Sequence, residues 1–291
     1  MRAWLKARAV TVADLLVYAS TAYTSVKSQL NDASVDLIDL GRAPSTDADA
    51  ALLEAARLLR PWQAPGLTLT RIGGDGDGGY VMAELPPPSG AISIGIGPDV
   101  SWDRAMSDRG VPVACFDPTV RGLPSPVPNG RFFRVGIGAN PPEYRPLDEL
   151  VGLAGFTGRS DLVLKIDVEG AEWPSLASVT PEQLSAYTQI AIEMHDLRGL
   201  MDPRERGRIL GVLSALAAGH RPVHVHANNY DAVVRFGSLW FANAIEVTYV
   251  RADCFSDWAP RESLAVELDR PNDPRVSEIS LAGMLRAPMR G

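Results

Sequence analysis

Two acids and a glycine follow an apolar strand that the sequence predicts. Residues 161–173 are Asp-Leu-Val-Leu-Lys-Ile-Asp-Val-Glu-Gly-Ala-Glu-Trp, and the run Leu162–Ile166 is typical of a buried parallel strand. Asp167 and Glu169 come just after its carboxyl end. Ligands of open α/β sheets bind outside the carboxyl ends of the strands, so these two acids are placed for chemistry rather than for packing.

A glycine loop follows a second predicted strand. Residues 91–99 are Ala-Ile-Ser-Ile-Gly-Ile-Gly-Pro-Asp, and Gly95 and Gly97 would let the backbone approach a ligand closely. Asp117 follows the next strand, where a carboxylate can accept both hydroxyls of a ribose. Residues 93–99 do not complete a Gly-x-Gly-x-x-Gly fingerprint, and no Gly-x-x-x-x-Gly-Lys-Ser/Thr loop occurs in the sequence. The pattern favours a nucleoside-binding sheet over a dehydrogenase or a P-loop kinase.

All four histidines lie in the second half of the chain, at 195, 220, 224 and 226. His195 follows Glu193 at the end of a predicted strand, so it is the first candidate for a general base, with Glu193 and Asp167 as catalytic neighbours. The same acids could instead hold Mg²⁺ or Mn²⁺ with a histidine, and Asp167, Glu193 and His226 are the candidate ligands. The sequence leaves both mechanisms open.

The run Gly73–Gly79 lies between two short predicted strands, Leu67–Ile72 and Tyr80–Ala83. Two interpretations fit it: Asp77 and Tyr80 close over a cofactor or substrate, or the run is the turn of a hairpin. It also resembles one turn of a calcium-binding nonapeptide repeat. That architecture needs several stacked copies, and only one is present.

From Ala91 onward strands and helices alternate, which predicts an α/β fold with a parallel, doubly wound sheet. The predicted strands are Ala91–Ile96, Val111–Phe116, Arg131–Ile137, Leu162–Ile166, Thr188–Ile192, Pro222–His226 and the closing strand Asn243–Arg251. The predicted helices are Trp102–Arg109, Leu147–Ala154 and Pro203–Ala218.

The chain divides into three predicted parts. Residues 1–66 form an N-terminal helical extension with helices at Val12–Leu30 and Ala48–Leu59, residues 67–258 form the sheet domain, and residues 259–291 form an irregular tail. The first helix carries an apolar surface that needs a cover. We expect it to cover the mouth of the active site and to form the contact between two subunits of a homodimer.

Composition and charge exclude several classes of protein. The formal net charge of −7 over 291 residues offers no electrostatic footprint for nucleic acid. No apolar run is long enough to cross a bilayer, so no membrane partner is expected. Two cysteines, Cys115 and Cys254, suit a reducing compartment, and the N-terminus is unlike a signal peptide. We expect a cytoplasmic protein with a small-molecule or oligosaccharide substrate.

Several of these segments resemble the FkbM-type and related S-adenosylmethionine-dependent methyltransferases. The resemblance rests on Leu164–Trp173 and Gln189–His195, and it spans about Arg71 to Arg251. A subgroup of methyltransferase-like proteins is also similar at Asp77–Tyr80, Ser93–Gly97, Phe116–Pro118 and His226–Asn229. Ser93 departs from the pattern, because class I methyltransferases usually have an acid there.

The resemblance implies a class I methyltransferase sheet, Rossmann-like and mostly parallel with a closing antiparallel strand. It implies methyl transfer from S-adenosylmethionine to a hydroxyl, here of a sugar, oligosaccharide or glycoside. A polyketide or other secondary-metabolite hydroxyl is the alternative acceptor, and a catalytically silent cofactor-binding scaffold is the alternative of another class. The implied cofactor-binding residues are Ser93, Gly95, Ile96, Gly97, Asp117, Pro118 and Asp167. The implied substrate-binding residues are Asp77, Tyr80, Glu169, His226, Asn228 and Asn229.

Overall fold

A computed structural model describes residues 37–39, 46–236, 239–264 and 266–281 of the protein. The predicted helix Val12–Leu30 lies outside these residues. The helices are α1 (Thr46–Leu59), α2 (Ser101–Asp108), α3 (Leu147–Ala154), α4 (Glu172–Leu176), α5 (Pro181–Leu184) and α6 (Pro203–Gly219), with 3₁₀ turns at Leu197–Met201 and Ala252–Cys254. The strands are β1 (Leu37–Asp39), β2 (Trp62–Gln63), β3 (Leu69–Ile72), β4 (Tyr80–Ala83), β5 (Gly90–Ile94), β6 (Val113–Phe116), β7 (Gly130–Phe133), β8 (Gly136–Ile137), β9 (Tyr144–Arg145), β10 (Leu162–Ile166), β11 (Tyr187–Met194), β12 (His220–Ala227), β13 (Val233–Phe236), β14 (Leu239–Ala242), β15 (Ile245–Arg251) and β16 (Ala259–Pro260).

Seven strands form the central sheet in the order β12-β15-β11-β10-β5-β6-β7. All neighbouring pairs are parallel except those of β15, which runs antiparallel to β11 and to β12. The chain builds outward from β5 in one direction and from β10 in the other, so the topological switch point lies between β5 and β10. The predicted α/β architecture with a mostly parallel sheet is confirmed, and it is compatible with a Rossmann-like fold.

One face of the sheet is apolar and packs against helices. Alternate residues of the central strands, such as Ile92, Leu164 and Ile190, are fully buried there. Each such side chain stabilises the fold by about 1.5–3 kcal/mol. Helix α1 belongs to the same core through Leu52 and Leu59, which are also fully buried. The second predicted helix of the N-terminal extension is therefore packed into the main core.

The opposite face becomes polar toward the carboxyl end of the strands. Small and apolar residues on this face give way to Ser93 on β5, Lys165 on β10 and Glu193 on β11. The hairpin β3–β4 lies across this face: Gln189 exchanges two hydrogen bonds with the backbone of Ala83 at 2.9 and 3.0 Å. The hairpin thus closes the polar face on one side.

The predicted strand Arg131–Ile137 is wrong as a single element. It breaks at a tight turn in which the Val135 amide donates to the Phe133 carbonyl at 2.8 Å, and the two halves enter different sheets. Strand β7 pairs with β6, whereas β8 pairs with β9. The sequence analysis also missed a sheet of β1, β13 and β14, because apolar runs of three or four residues have no resolvable period.

The described part of the segment after β15 is packed against the protein. Strand β16 pairs with β2, and Ile279 and Leu281 are buried in the main core. Asn272 and Asp273 are also buried. Among the described residues, no helix has the length and apolar character needed to cross a membrane.

Candidate active site

The glycine loop after β5 is clamped against the end of β10. Gly95 has φ of +80°, and a Cβ atom there would lie 1.5 Å from the carbonyl oxygen of Asp167. The Gly95 amide donates to the carbonyl of Phe116 at 2.9 Å, and Lys165 Nζ donates to the Gly95 carbonyl at 2.8 Å. Only glycine fits at position 95, and this position lies at the switch point of the sheet.

Asp117 ties the same loop to the end of β6. Its Oδ2 accepts from the Ile96 amide at 2.9 Å, and its Oδ1 accepts from the amide and hydroxyl of Thr119 at 2.7 and 2.6 Å. The Val120 amide is a further donor at 3.3 Å. Burial favours the neutral acid, but these hydrogen bonds outweigh it and lower the pKa of Asp117. The carboxylate is thus charged and already well supplied with donors.

His195 is oriented by a buried carboxylate. Its Nδ1 lies 3.0 Å from Oε1 of Glu172, whose side chain is 0% exposed. Glu172 also accepts from the amides of Val168 and Gly170 at 3.1 Å, so its position is set by the loop after β10. The Trp173 indole donates to the His195 carbonyl at 2.6 Å. A carboxylate on Nδ1 leaves Nε2 free to exchange a proton.

The Nε2 atom of His195 faces acids. Oε1 of Glu193 lies at 3.5 Å and Oε2 of Glu169 at 3.6 Å. Burial disfavours the imidazolium, but the hydrogen bond and charge of Glu172, and then the charges of Glu193 and Asp167, outweigh it and raise the pKa of His195 to about 9.

The raised pKa values of the two strand-end acids, Glu193 and Asp167, favour their neutral forms, whereas the raised pKa of His195 favours its charged form. Burial, followed by the charges of Asp167 and Glu246, raises the pKa of Glu193 well above its ordinary value. Burial also raises the pKa of Asp167, although Lys165 and His195 work against it. Burial thus favours the neutral form of both carboxyls.

The structure groups two of the three predicted metal ligands, Asp167 and Glu193, with His195 rather than with His226. Asp167, Glu193 and His195 each offer a ligand atom, and these atoms lie within 4.8 Å of one another. His226 is not in that group. Its two ring nitrogens lie 3.3 Å from Glu246 and 3.0 Å from Glu278, because the antiparallel β15 stands between β12 and β11.

The predicted substrate-binding residues fall into three groups. Asn228 donates from Nδ2 to Glu193 Oε1, and Glu169 is exposed beside His195 with 87% of its side chain accessible, so both lie at the site. Asn229 instead donates to the carbonyls of Asp273 and Val276, both at 2.9 Å. Asn229, like His226, therefore binds the C-terminal segment. Tyr80 is buried at the start of β4 in the hairpin, and Asp77 lies in the glycine run that precedes it.

The predicted cofactor-binding residues also separate by exposure. Gly97 is exposed, has φ of +55° and has no heavy atom within 4 Å of a built Cβ. Pro118 is half-buried and Ile96 is buried. Ser93 is fully buried within β5, and its hydroxyl has no partner among the described residues. Ser93 therefore lies in the strand rather than on the surface of the loop.

Sequence reasoning missed the role of Glu172 and the presence of Glu246 near the site. Glu246 is buried and stands opposite Glu193 in β11 and opposite His226 in β12. A signal for it was available. Residues 244–250 are Ala-Ile-Glu-Val-Thr-Tyr-Val. A charged residue within an apolar strand is uncommon unless it has a partner, and both Glu246 here and Lys165 in Leu162–Ile166 are such residues.

A cavity of about 750 Å³ lies between the loop after β10 and the segment that follows His195, and His195 itself is not part of its lining. It begins at Gly170 and Asp196, which flank the His195–Glu172 pair in the chain, and Trp173 forms part of its wall. This volume suits a small-molecule ligand. Five of its lining residues are charged, namely Asp196, Arg198, Asp202, Glu205 and Arg208.

No protein-family model matches this chain, and no curated protein matches it either. The clamped glycine loop and Asp167 lie at the switch point of the α/β sheet, and Glu193 and the carboxylate-held His195 lie at the end of the neighbouring strand β11.

Proposed function

We propose that this protein is an S-adenosylmethionine-dependent O-methyltransferase that methylates a hydroxyl of a sugar, oligosaccharide or glycoside. The observation that carries the proposal is the position of His195, one strand away from the crevice where the glycine loop meets Asp167. Ligands of such sheets bind at this crevice. The mostly parallel sheet with one antiparallel strand also agrees with the class I methyltransferase fold that the sequence resemblance implies.

The residues at the crevice fit an adenosyl cofactor. Space is open beside Gly97, and the buried Oδ1 of Asp167 has no partner among the described residues. Gly95, Gly97 and Asp167 would line the cofactor, and Asp117 would face its ribose. S-adenosylmethionine, when bound, supplies an electrophilic methyl group carried on a sulfonium.

The chain supplies the base for the acceptor hydroxyl. His195 takes the hydroxyl proton at Nε2, and Glu172 holds Nδ1 and stabilises the imidazolium that forms. The raised pKa makes neutral His195 a stronger base, although a smaller fraction of it is neutral at pH 7. The neighbouring Glu193 is within 3.5 Å of Nε2 and can share the transferred proton.

The cavity lined by Gly170 and Asp196 favours a polar acceptor over a polyketide. A sugar needs several hydrogen-bonding groups, which the five charged side chains of the lining provide. A polyketide would be better served by an apolar pocket. We therefore retain the sugar, oligosaccharide or glycoside as the acceptor.

Cofactor binding is the first test of the proposal. Calorimetry should detect binding of S-adenosylhomocysteine, and Asp117→Asn should weaken it by about 1–3 kcal/mol because a charged acceptor for the ribose is lost. Thr119→Val is the matched control. It removes one hydroxyl that donates to Asp117, a donor that the ribose would replace, and it leaves the carboxylate in place. It should leave the affinity within about twofold. A protein that binds NAD and ignores S-adenosylhomocysteine would contradict the proposal.

Turnover separates an enzyme from a silent scaffold. Labelled methyl groups should pass from S-adenosylmethionine to members of a panel of mono- and oligosaccharides. A protein that binds the cofactor yet methylates neither this panel nor a panel of hydroxylated polyketides would be a scaffold.

A second mechanism uses a divalent cation at Asp167, Glu193 and His195, because these side chains are grouped closely enough to hold one. A cation there would lower the pKa of the acceptor hydroxyl directly. In that case EDTA should abolish turnover and Mg²⁺ or Mn²⁺ should restore it. Full activity after stringent chelation would leave His195 as the base.

A further inference from the structure

A second group of carboxylates shares Glu193 with the set of Asp167 and His195. Asp77, Glu193 and Glu246 each offer an oxygen, and these oxygens lie within 4.8 Å of one another. Glu193 and Glu246 are directly opposite each other on β11 and β15, and Asp77 comes from the glycine run above them. Like charges facing each other across a strand pair are destabilising, so this arrangement needs a counter-charge.

The cations nearest to this group are each shared with a carboxylate outside it. Lys165 donates to the Gly95 carbonyl and lies 3.9 Å from Asp167. His195 is held by Glu172 at 3.0 Å, and His226 is shared between Glu246 and Glu278. Lys165 is shared with Asp167, His195 with Glu172 and His226 with Glu278, so none of these side chains serves the group alone.

Two buried polar atoms beside the group have no hydrogen-bond partner among the described residues. One is the hydroxyl of Tyr80, whose side chain is 1% exposed and whose charged neighbours include all three carboxylates of the group. The other is Oδ1 of Asn272, which is 3% exposed. The Asn272 amide is inside the group, because its Nδ2 donates to Glu246 at 2.6 Å and to Asp77 at 3.5 Å. Unsatisfied polar atoms at such depth indicate a missing ion or water.

We propose that Asp77, Glu193 and Glu246 bind a hard divalent cation of the Mg²⁺, Mn²⁺ and Ca²⁺ class. The donor atoms are all oxygens, which suits these ions rather than Zn²⁺ or Cu²⁺. A turn of the Asn272 amide brings its carbonyl oxygen toward the cation, and the Tyr80 hydroxyl is placed to bond a water of the coordination shell. The site shares Glu193 with the set of Asp167 and His195 but needs neither of them.

The four contributing residues come from three separate parts of the chain. Asp77 belongs to the glycine run, Glu193 and Glu246 belong to the sheet, and Asn272 belongs to the C-terminal segment. A bound cation therefore fastens the glycine run and residues 266–281 over the carboxyl end of the sheet. A built Cβ at Gly76 would already lie 3.6 Å from the Asn272 carbonyl, so the run and the segment are in contact.

The test is a titration of the chelator-treated full chain with Mn²⁺. Binding is monitored by calorimetry and by the electron paramagnetic resonance signal of free Mn²⁺. We expect Asp77→Asn and Glu246→Gln to weaken Mn²⁺ binding at least tenfold. The matched control Asp75→Asn removes the same charge from the same glycine run and should change the affinity less than twofold, and His195→Gln should not weaken binding. Circular dichroism checks that each variant is folded, and the exposed Asp77 is the position where a change disturbs packing least.

Amide hydrogen exchange supplies a second measurement. Mn²⁺ should slow exchange in residues 266–281 of the wild type and should not do so in Asp77→Asn. Absence of binding by Mn²⁺, Mg²⁺ and Ca²⁺ at millimolar concentration would overturn the proposal. So would a titration in which His195→Gln loses the cation and Asp77→Asn keeps it. Neither readout involves the methyl donor, so methyl transfer can succeed or fail independently.

Discussion

Replacement of His195 by glutamine is expected to lower kcat for methyl transfer by about 10²- to 10⁴-fold, the contribution that a positioned general base usually makes. Glutamine keeps a hydrogen-bonding side chain beside Glu172 but cannot take the acceptor proton. The affinity for S-adenosylhomocysteine should change little, because the glycine loop and Asp117 are untouched. A His195→Gln variant with the kcat of the wild type would exclude His195 as the base.

The pH dependence of the same reaction tests how His195 is held. Only neutral His195 can accept the proton, so kcat/KM should rise with pH and level off near the pKa of about 9. Glu172 is a positioning residue, and its hydrogen bond and charge are the main causes that raise this pKa. Glu172→Gln should therefore move the limb of the pH profile downward, toward the ordinary value of about 6.5 for histidine. An unmoved limb would mean that another group controls the profile.

The second large effect is expected at the glycine loop. Gly95→Ala should lower the free energy of unfolding by about 3–5 kcal/mol, because the new methyl group overlaps the Asp167 carbonyl and alanine is strained at a φ of +80°. The loop must move away from β10 to relieve the overlap. Binding of S-adenosylhomocysteine should be lost with it, since the crevice would no longer be closed on that side.

Gly97→Ala is the matched control for this change. Gly97 also has positive φ, at +55°, but no heavy atom lies within 4 Å of a built Cβ, so only the backbone strain of about 1–2 kcal/mol applies. Urea denaturation of both variants measures the difference. Equal losses of stability at the two positions would show that the contact between Gly95 and Asp167 is not what makes glycine necessary.

The sequence by itself determined the elements whose signals are local. The helix Leu147–Ala154 and the strand Leu162–Ile166 have the predicted bounds, and the glycine loop, Asp167 and His195 lie at strand ends as predicted. Hydrophobic period, prolines and glycines act over a few residues, so they are readable without knowledge of the rest of the chain. Where the local signal was weak, as at Arg131–Ile137, the prediction failed.

Only the tertiary structure decided which charged groups face one another. Glu172 follows the loop after the strand Leu162–Ile166, and the structure buries it against His195. Glu246 meets Glu193 because β15 runs antiparallel between β11 and β12, and the same insertion separates His226 from Asp167. The contact between Glu193 and Glu246 depends on strand order and register across more than fifty residues. Strand order and register follow from burying both faces of the whole sheet rather than from any local preference.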